Sequence, residues 1–200
     1  MSLLSLGIEG PVLAGKSTVS AALALRFESR GIRSIVAPDF ADAARLLGLT
    51  LPSICPRDRT EEMSAVEFFL EVDRLRRPLS KDAVVILDRT CWTLIAHANG
   101  LAAVGGVNAV ADVQQCVALN GLVPHALVYL DVTHGDQLSR SQSRGPLPAL
   151  LLDGVFNAAF REAFNRSRTE HGALWVEAGR SLQATVNSVD DYFSGIICSL

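Results

Sequence analysis

The eight residues at positions 10–17, Gly-Pro-Val-Leu-Ala-Gly-Lys-Ser, have the residue types and spacing of a phosphate-binding loop. They match the pattern G-x-x-x-x-G-K-[S/T], in which several backbone N–H groups surround one anion. Glycines allow backbone geometry that a side chain would obstruct, and the helix expected after the loop adds partial positive charge at its start. The Lys16 ammonium would reach the terminal phosphates of a nucleotide, and the Ser17 hydroxyl would complete the ligand shell of Mg²⁺. The residues predicted to bind this nucleotide are Gly10, Ala14, Gly15, Lys16, Ser17 and Thr18.

Charged side chains also stand at the ends of four predicted strands. Ligands of parallel α/β sheets bind beyond the carboxyl ends of the strands, so these side chains should converge on the phosphate-binding loop. Phosphoryl transfer depends mainly on positioning and charge neutralisation, which carboxylates and arginines can supply. The residues concerned are Glu9, Asp39, Asp88, Arg89 and Asp131, with Arg140 and Arg144 on a helix expected after the last of them.

Five apolar runs separated by helical patterns predict the elements that position these residues. A continuous apolar run such as 83–87 is typical of a parallel strand that helices cover on both faces. The predicted strands span 3–8, 33–37, 83–87, 126–132 and 174–177, and the predicted helices span 18–28, 60–77, 107–119, 154–169 and 181–193. This alternation predicts a three-layer α/β fold with a doubly wound, parallel, five-stranded sheet, in one domain over residues 1–200. Two proline-containing stretches, 48–59 and 143–153, are expected to be mobile loops.

Composition and charge narrow the class of protein. The chain has 200 residues, of which 49% are hydrophobic, and this indicates a packed globular protein. The sequence contains no apolar run long enough to span a bilayer, and its N-terminus lacks the basic region and cleavage site of a signal peptide. We therefore expect a cytoplasmic protein without a membrane partner. A net charge of −3 gives no reason to expect a nucleic-acid partner, and a homodimer is left open.

Six segments, in order along the chain, resemble the thymidylate kinase-like group of P-loop nucleotide and deoxynucleoside kinases. They are similar, in turn, to the family's first strand with the phosphate loop, the helix that lines the nucleobase site, and the "DR" motif. The later segments are similar to the strand that ends in Leu-Asp-Val, the arginine-bearing lid, and the last strand with the turn that borders adenine. In this chain the segments lie at 8–18, 68–74, 84–90, 124–132, 138–145 and 175–182.

The resemblance implies an ATP-dependent kinase that uses Mg²⁺ and transfers the γ-phosphate to a nucleotide, a nucleoside or a similar small molecule. It implies that Ser17 and Asp88 hold the metal ion and that a lid at about 140–153 closes over the site. The catalytic residues implied are Lys16, Asp39, Asp88, Arg89, Arg140 and Arg144. The acceptor-binding residues implied are Glu9, Asp39, Phe69, Arg74 and Arg89.

Departures from the family pattern bear on the acceptor. Thymidylate kinases carry Arg-Glu-Pro-Gly-Gly after the second strand, whereas this chain has Ala-Pro-Asp-Phe at 37–40 and its next arginine only at position 45. Val12 stands where the family usually has an acidic residue, and Leu70 stands where many members have the aromatic that stacks on thymine. Asp39 matches the position at which deoxynucleoside kinases place a general base, and an aspartate there is equally suited to cap the next helix.

Several interpretations therefore stay open. A monophosphate acceptor would need cations such as Arg74 and Arg89, and a hydroxyl acceptor, on a nucleoside or on a non-nucleotide molecule, would need Asp39 as its base. A protein of another class, a nucleotide-binding regulator that hydrolyses slowly or not at all, would show no acceptor-dependent turnover. The structural alternatives are a buried ion pair for Asp88 and solvated helix charges for Arg140 and Arg144.

Overall fold

A five-stranded parallel sheet forms the centre of the protein in a computed structural model, which describes residues 4–77, 82–179 and 181–197. The strands are β1 (Ser5–Glu9), β2 (Ser34–Ala37), β3 (Val84–Asp88), β4 (Ala126–Asp131) and β5 (Leu174–Glu177). Their order across the sheet is β2-β3-β1-β4-β5, and all neighbouring pairs are parallel. Strands β2 and β3 lie on one side of β1, and β4 and β5 lie on the other. The point at which the strand order reverses, where such sheets bind ligands, therefore lies beside β1.

Helices cover both faces of this sheet. They are α1 (Lys16–Ser29), α2 (Phe40–Leu46), α3 (Arg59–Arg76), α4 (Trp92–Ala103), α5 (Val110–Asn120), α6 (His134–Ser141), α7 (Gly154–His171) and α8 (Leu182–Ile197), with a short 3₁₀ helix at Ala149–Leu152. On one face, α1 and α8 pack on apolar side chains of the strands, among them Leu6, Ile86 and Val128. On the other face, α3, α4 and α5 share a second core, and α4 and α7 pack around Tyr129. Within the described ranges, no helix is both long enough and apolar enough to cross a membrane.

The predicted fold class is confirmed. Each of the five apolar runs forms a strand whose ends lie within one or two residues of the predicted ones. The burial of β3, in which all five residues from Val84 to Asp88 are buried, explains why that run is apolar at nearly every position. The alternation of strand and helix patterns was therefore sufficient to predict the layers of the fold.

Two local features differ from the prediction. The sequence pattern predicts no helix over α4, because apolar residues occupy most positions there and leave no amphipathic period. The helix is instead buried between α5 and α7, and Gly100 lies so close to the Phe156 ring that a Cβ atom would be 2.5 Å from it. The prediction that Arg144 belongs to the helix after β4 is wrong, because α6 ends at Ser141 and Arg144 lies in the following loop.

Candidate active site

The phosphate-binding loop connects β1 to α1, and its glycines are required by the backbone. Gly10 has φ 143°, and a Cβ atom there would lie 2.5 Å from the carbonyl oxygen of Leu130 in β4. Gly15 has φ 88° and is the N-cap residue of α1. The first N–H groups of α1 have no carbonyl partner in the helix and lie at this loop, where the helix dipole is positive.

Lys16 is folded into its own loop. Its Nζ atom donates hydrogen bonds to the carbonyl oxygens of Gly10 (3.1 Å) and Pro11 (2.7 Å), and only 7% of the residue is exposed. Burial lowers the pKa of Lys16 to about 7, with a further contribution from the nearby Arg89 guanidinium, while the carboxylates around it act in the opposite direction. Both hydrogen-bond partners of the ammonium are uncharged carbonyl groups, and an anionic phosphate would be a stronger partner.

Asp88 and Ser17 form a pair of oxygen ligands beside the loop. Asp88 is the last residue of β3, is paired in register with Ile8 of β1, and is 3% exposed. One carboxylate oxygen, Oδ2, accepts a hydrogen bond of 2.6 Å from the Ser17 hydroxyl. The other oxygen, Oδ1, is buried and has no hydrogen-bond partner among the residues that the structure describes. The buried ion pair considered as the alternative for Asp88 is not found in this described part of the chain.

Arg89 follows Asp88 in an unusual backbone conformation. Its φ is 71°, in the left-handed region that residues other than glycine rarely adopt, and such strain is concentrated at functional sites. The guanidinium donates to the carbonyl oxygen of Gly10 at 3.3 Å, so it lies against the phosphate-binding loop. Arg89, the arginine of the "DR" motif, is thus held at the edge of the phosphate-binding loop.

Glu9 lies beneath this segment. It is fully buried and accepts hydrogen bonds from the Thr90 N–H (2.6 Å), the Thr90 hydroxyl (2.7 Å) and the Thr93 hydroxyl (2.6 Å). Burial raises the pKa of Glu9, and the charge of Arg89 together with these hydrogen bonds opposes that shift. The structure thus places Glu9, predicted to bind the acceptor, under the start of α4 and not on a cavity wall.

Two cavities meet at the carboxyl ends of β1, β2 and β3. The smaller, of about 260 Å³, lies over the phosphate-binding loop and contains Lys16, Ser17, Asp88 and Arg140 in its wall. The larger, of about 640 Å³, lies between α2, α3, α4 and the start of α7. The residues that line both cavities are Val12, Asp39, Arg89 and Arg144. Most of the charged residues predicted to act together are therefore brought together.

Asp39 caps a helix, as one of the two sequence-based alternatives predicted, and it also lies at the cavities. It is the N-cap residue of α2, and its Oδ1 atom accepts a hydrogen bond of 2.9 Å from the N–H of Asp42. The same carboxyl group is half-buried and lines both cavities. The cap fixes the side chain at the junction of the two cavities, so capping does not remove the carboxyl group from their walls.

The two arginines of the predicted lid have different surroundings. Arg140 donates to the carbonyl oxygens of Leu13 (2.9 Å) and Ala178 (2.7 Å), which connects the phosphate-binding loop to the segment after β5. Arg144 is exposed and lines both cavities. Arg140 is thus held by two backbone carbonyl oxygens, whereas Arg144 lies in an exposed loop that borders both cavities.

Of the two predicted acceptor-binding residues on α3, one lines the large cavity. Phe69 does so, and its ring centroid lies 5.6 Å from that of Phe40. Arg74 does not: it pairs with Glu71 at 2.9 Å and donates to the carbonyl oxygen of Asn120, on the outer side of the helix. The face of α3 that lines the cavity contains Glu62, Ala65, Val66 and Phe69, and a helix turns by about 100° per residue, so Arg74 is rotated away from it.

Two polar residues of the large cavity were missed by the sequence analysis. Glu62 is 3% exposed, and neither of its carboxylate oxygens has a hydrogen-bond partner within the described part of the chain. Burial raises the pKa of Glu62, and the nearby Asp112 adds to the shift.

The second residue is His97 on α4. Its buried Nε2 atom has no hydrogen-bond partner in residues 4–77, 82–179 or 181–197, and burial, together with the charge of Arg89, lowers the pKa of His97 to about 4. Glu62 could have been found as the one charged member of an apolar i, i+3, i+4, i+7 stripe, whereas His97 lies on the unpredicted helix.

This architecture is an α/β P-loop kinase fold, with a phosphate-binding loop next to a cavity large enough for a small molecule. No protein-family model matches the chain. It is, however, 28% identical to a thymidylate kinase from Pseudomonas putida (strain GB-1) over 209 aligned residues, which cover 98% of each protein. The resemblance to the thymidylate kinase-like P-loop kinases is therefore confirmed over nearly the whole chain.

Solved structures of deoxyadenosine kinase from M. mycoides have the same fold. The structure with bound dCTP has a TM-score of 0.67 at 16% sequence identity, and the one with bound dATP has a TM-score of 0.65 at 18% identity. A third, with dCMP and a flexible dCDP bound as products, has a TM-score of 0.66 at 15% identity. Each alignment covers 96% of this chain and all of the other one. The similarity thus extends over nearly the whole fold.

Proposed function

We propose that this protein is an ATP-dependent kinase of a nucleoside or nucleotide. The observation that carries the proposal is that Asp39, Arg89 and Arg144 line both the cavity over the phosphate-binding loop and the larger one beside it. A nucleoside triphosphate in the first cavity and an acceptor in the second would meet at these three side chains. The similarity to a thymidylate kinase, and to the fold of a deoxyadenosine kinase, supports this class of acceptor.

Ser17 and Asp88 fit the requirements of a magnesium ion that accompanies ATP. Mg²⁺ is commonly bound through one or two protein oxygens together with substrate phosphates, and does not need a dedicated cage of side chains. The buried Oδ1 atom of Asp88, which has no hydrogen-bond partner in the described part of the chain, is such an oxygen, and the Ser17 hydroxyl lies next to the same carboxylate. The bound ion would neutralise phosphate charge during transfer.

The chain's own charged groups would position and stabilise the transferring phosphoryl group. Lys16 would exchange its two backbone carbonyl partners for phosphate oxygens, and Arg89 and Arg144 would neutralise charge at the junction of the cavities. Arg140 would hold the phosphate-binding loop in a fixed position relative to the segment after β5. We further propose that residues 140–153 act as a lid on a single domain, because α6 and the following loop carry both arginines.

The larger cavity suits a flat, mainly apolar acceptor with a neutral polar edge. Phe69, Phe156 and Phe160 supply apolar wall. Glu62 and His97 supply polar atoms that have no hydrogen-bond partner among the residues that the structure describes. Because burial favours the neutral forms of both Glu62 and His97, they would bind hydrogen-bonding groups and not a charge. A nucleobase has such a shape and such an edge.

We propose a hydroxyl as the phosphate acceptor, with Asp39 as its general base. The carboxyl lies at the junction of the two cavities, and a hydroxyl must lose a proton as it attacks the γ-phosphate. A monophosphate is the second candidate, because the sequence relative is a thymidylate kinase and because Arg45, Arg89 and Arg144 also line the larger cavity.

The direct test measures ADP formation from Mg²⁺ and ATP with a panel of deoxynucleosides, deoxynucleoside monophosphates and hydroxyl compounds unrelated to nucleosides. The expected result is little ADP without an acceptor and rapid ADP formation with one deoxynucleoside or a few. Thermal-shift measurements on the same panel with ADP present would identify which compounds bind, since a ligand that binds only the folded state raises its stability. Acceptor-independent, slow ADP formation across the whole panel would instead support a regulatory nucleotide-binding protein.

Replacement of the lid arginines should lower turnover more than it weakens ATP binding. One arginine that neutralises charge on a transferring phosphoryl group is worth ~10³-fold or more in kcat. We expect a loss of that order for Arg144→Ala, and a loss in kcat larger than any rise in the KM for ATP for Arg140→Ala. Steady-state kinetics with saturating acceptor measures both. Arg33→Ala, which removes an exposed cation outside both cavities, is the control, and full kcat in both lid variants would assign these arginines to the protein surface.

The low pKa of Lys16 predicts that ADP binding weakens at alkaline pH. With a pKa of about 7 in the free protein, Lys16 loses its proton above neutrality, and binding to phosphate then requires proton uptake. The dissociation constant of ADP should therefore rise by up to about tenfold per pH unit between about pH 7.5 and pH 9. Isothermal titration calorimetry measures this slope, and Lys16→Met should bind more weakly with a flat profile. A flat profile in the unmodified protein would mean that Lys16 stays protonated.

A further inference from the structure

We infer that Arg76, the last residue of α3, is a positioning residue that fixes Asp39, Asp88 and Arg89 relative to one another. The inference rests on the proposed kinase function, because it concerns the geometry of those three residues at the junction of the cavities. Arg76 is not among the residues that line either cavity, so it would act only through the backbone of the residues that do.

The Arg76 guanidinium binds backbone carbonyl oxygens at the ends of two neighbouring strands. Its Nη1 atom donates to Pro38 (2.5 Å) and to Asp88 (2.8 Å), and its Nη2 atom donates to Arg89 (2.5 Å). Pro38 directly precedes Asp39, so this one side chain is hydrogen-bonded to the backbone at, or next to, each of the three site residues. Its planar, rigid array of donors is what makes several simultaneous contacts in fixed directions possible.

Arg76 is itself fixed in place. Its side chain is 1% exposed, and its Nε atom donates to Oδ1 of Asp73, one turn earlier on α3, at 2.9 Å. Asp73 is equally buried, and the Phe40 ring lies with its centroid 4.3 Å from the centre of the guanidinium. A cation held by a buried carboxylate and an aromatic ring has little freedom to move, so the carbonyl oxygens it binds are held as well.

The carbonyl groups that Arg76 binds lie just beyond the paired part of β2 and β3. The parallel pairing of these strands ends at Ala37 and Leu87, one residue before Pro38 and Asp88. The left-handed φ of Arg89 then turns the chain away from the strand direction. Arg76 therefore connects the two segments at the position where β2 and β3 separate.

Arg77 provides a matched control, because it shares the same carboxylate but not the same targets. Its Nη2 atom is 2.8 Å from the other oxygen of Asp73, and it donates to the carbonyl oxygen of Leu122, between α5 and β4. Arg77 is likewise absent from the walls of both cavities, as far as the described residues define them. If the ion pairs with Asp73 served only to stabilise the fold, substitution of either arginine would have the same effect on kcat.

The test compares Arg76→Lys with Arg77→Lys by kinetics and by binding. Lysine keeps the charge beside Asp73 but cannot reproduce the planar array that reaches both strand ends. Arg76→Lys should lower kcat by about 10- to 100-fold, the cost of misplacing reacting groups by about 1 Å, with the KM for ATP changed by no more than about threefold. It should also lower the Mg²⁺-dependent gain in ADP affinity by about tenfold, because Asp88 moves. Arg77→Lys should leave kcat, KM and that gain within about twofold of the unmodified protein.

The two measurements separate the possible failures. Unchanged kcat and unchanged Mg²⁺ dependence in a folded Arg76→Lys variant would overturn the inference, as would equal losses in Arg77→Lys. If the unmodified protein forms no acceptor-dependent ADP, the proposed kinase function fails, and the Mg²⁺-dependent binding of ADP still tests Arg76. If Arg76→Lys does not melt cooperatively, the double variant Asp73→Asn, Arg76→Gln removes both buried charges together, and the same losses are expected of it.

Discussion

Lys16→Ala should lose nearly all phosphoryl transfer while keeping the fold. The ammonium is the cation of the phosphate-binding loop, and removal of one preorganised charged donor from such a site costs at least about 10²- to 10³-fold in kcat. The folded state should not suffer, because Lys16 binds only two loop carbonyls and its lowered pKa shows that burial disfavours its charge. Below about pH 7, where the native ammonium is charged at a cost, the variant should be at least as stable as the unmodified protein.

Initial rates of acceptor-dependent ADP formation and thermal melting curves measure the two halves of this prediction. A variant that melts normally and retains the turnover of the unmodified protein would remove the phosphate-binding loop from the mechanism. A variant that loses activity together with its cooperative melting transition would show that Lys16 is needed for folding, contrary to the expectation.

Asp39→Asn should decide which kind of acceptor is phosphorylated. Asparagine caps helices about as well as aspartate, so the hydrogen bond from Asp42 and the start of α2 should be preserved. With a hydroxyl acceptor, the loss of the base should lower kcat by roughly 10²- to 10⁴-fold with little change in ATP binding. With a monophosphate acceptor, the same substitution should be mild and Arg89→Ala should be severe, because a phosphate oxygen is already nucleophilic and needs cations around it.

Asp58→Asn is a suitable control for this substitution. Asp58 caps α3 in the same way that Asp39 caps α2, by accepting a hydrogen bond of 2.9 Å from the N–H three residues later, and it lies outside the cavities. The activity and stability of the Asp58→Asn variant should therefore show the effect of altering a helix cap alone, without altering a residue at the cavities. Strong activity on dTMP, combined with an unchanged kcat in the Asp39→Asn variant, would overturn the hydroxyl proposal in favour of an ordinary thymidylate kinase reaction.

The phosphate-binding loop was predictable because the fixed positions of its pattern require particular residue types. The Leu130 carbonyl excludes any side chain at Gly10, and the left-handed conformation at Gly15 favours glycine. The strands were predictable for a related reason: burial on both faces leaves apolar residues at nearly every position. Such local requirements are visible in one sequence without knowledge of the rest of the fold.

The acceptor side of the site was less predictable, because it depends on which way α3 and α4 are rotated. Arg74 and Arg76 are two residues apart on one helix, yet the side chain of Arg74 is exposed and that of Arg76 is buried against the ends of β2 and β3. The motif indicated Arg74, and only the packing of the helix distinguishes the two. His97 is a still clearer case, since its position at the larger cavity depends on a helix whose mostly apolar sequence gives no amphipathic signal.

The enclosure of Lys16 within its own loop has a consequence for competition by inorganic anions. A loop that presented a free, fully charged ammonium would bind any small anion, including the orthophosphate and sulfate that are abundant around most proteins. Here an anion must displace two carbonyl oxygens and, near neutrality, supply the charge that keeps the ammonium protonated. A single orthophosphate offers few contacts in return, whereas a polyphosphate with its metal ion also engages Ser17, Asp88 and the arginines. The loop would thereby remain available to nucleotides in a medium rich in simple salts.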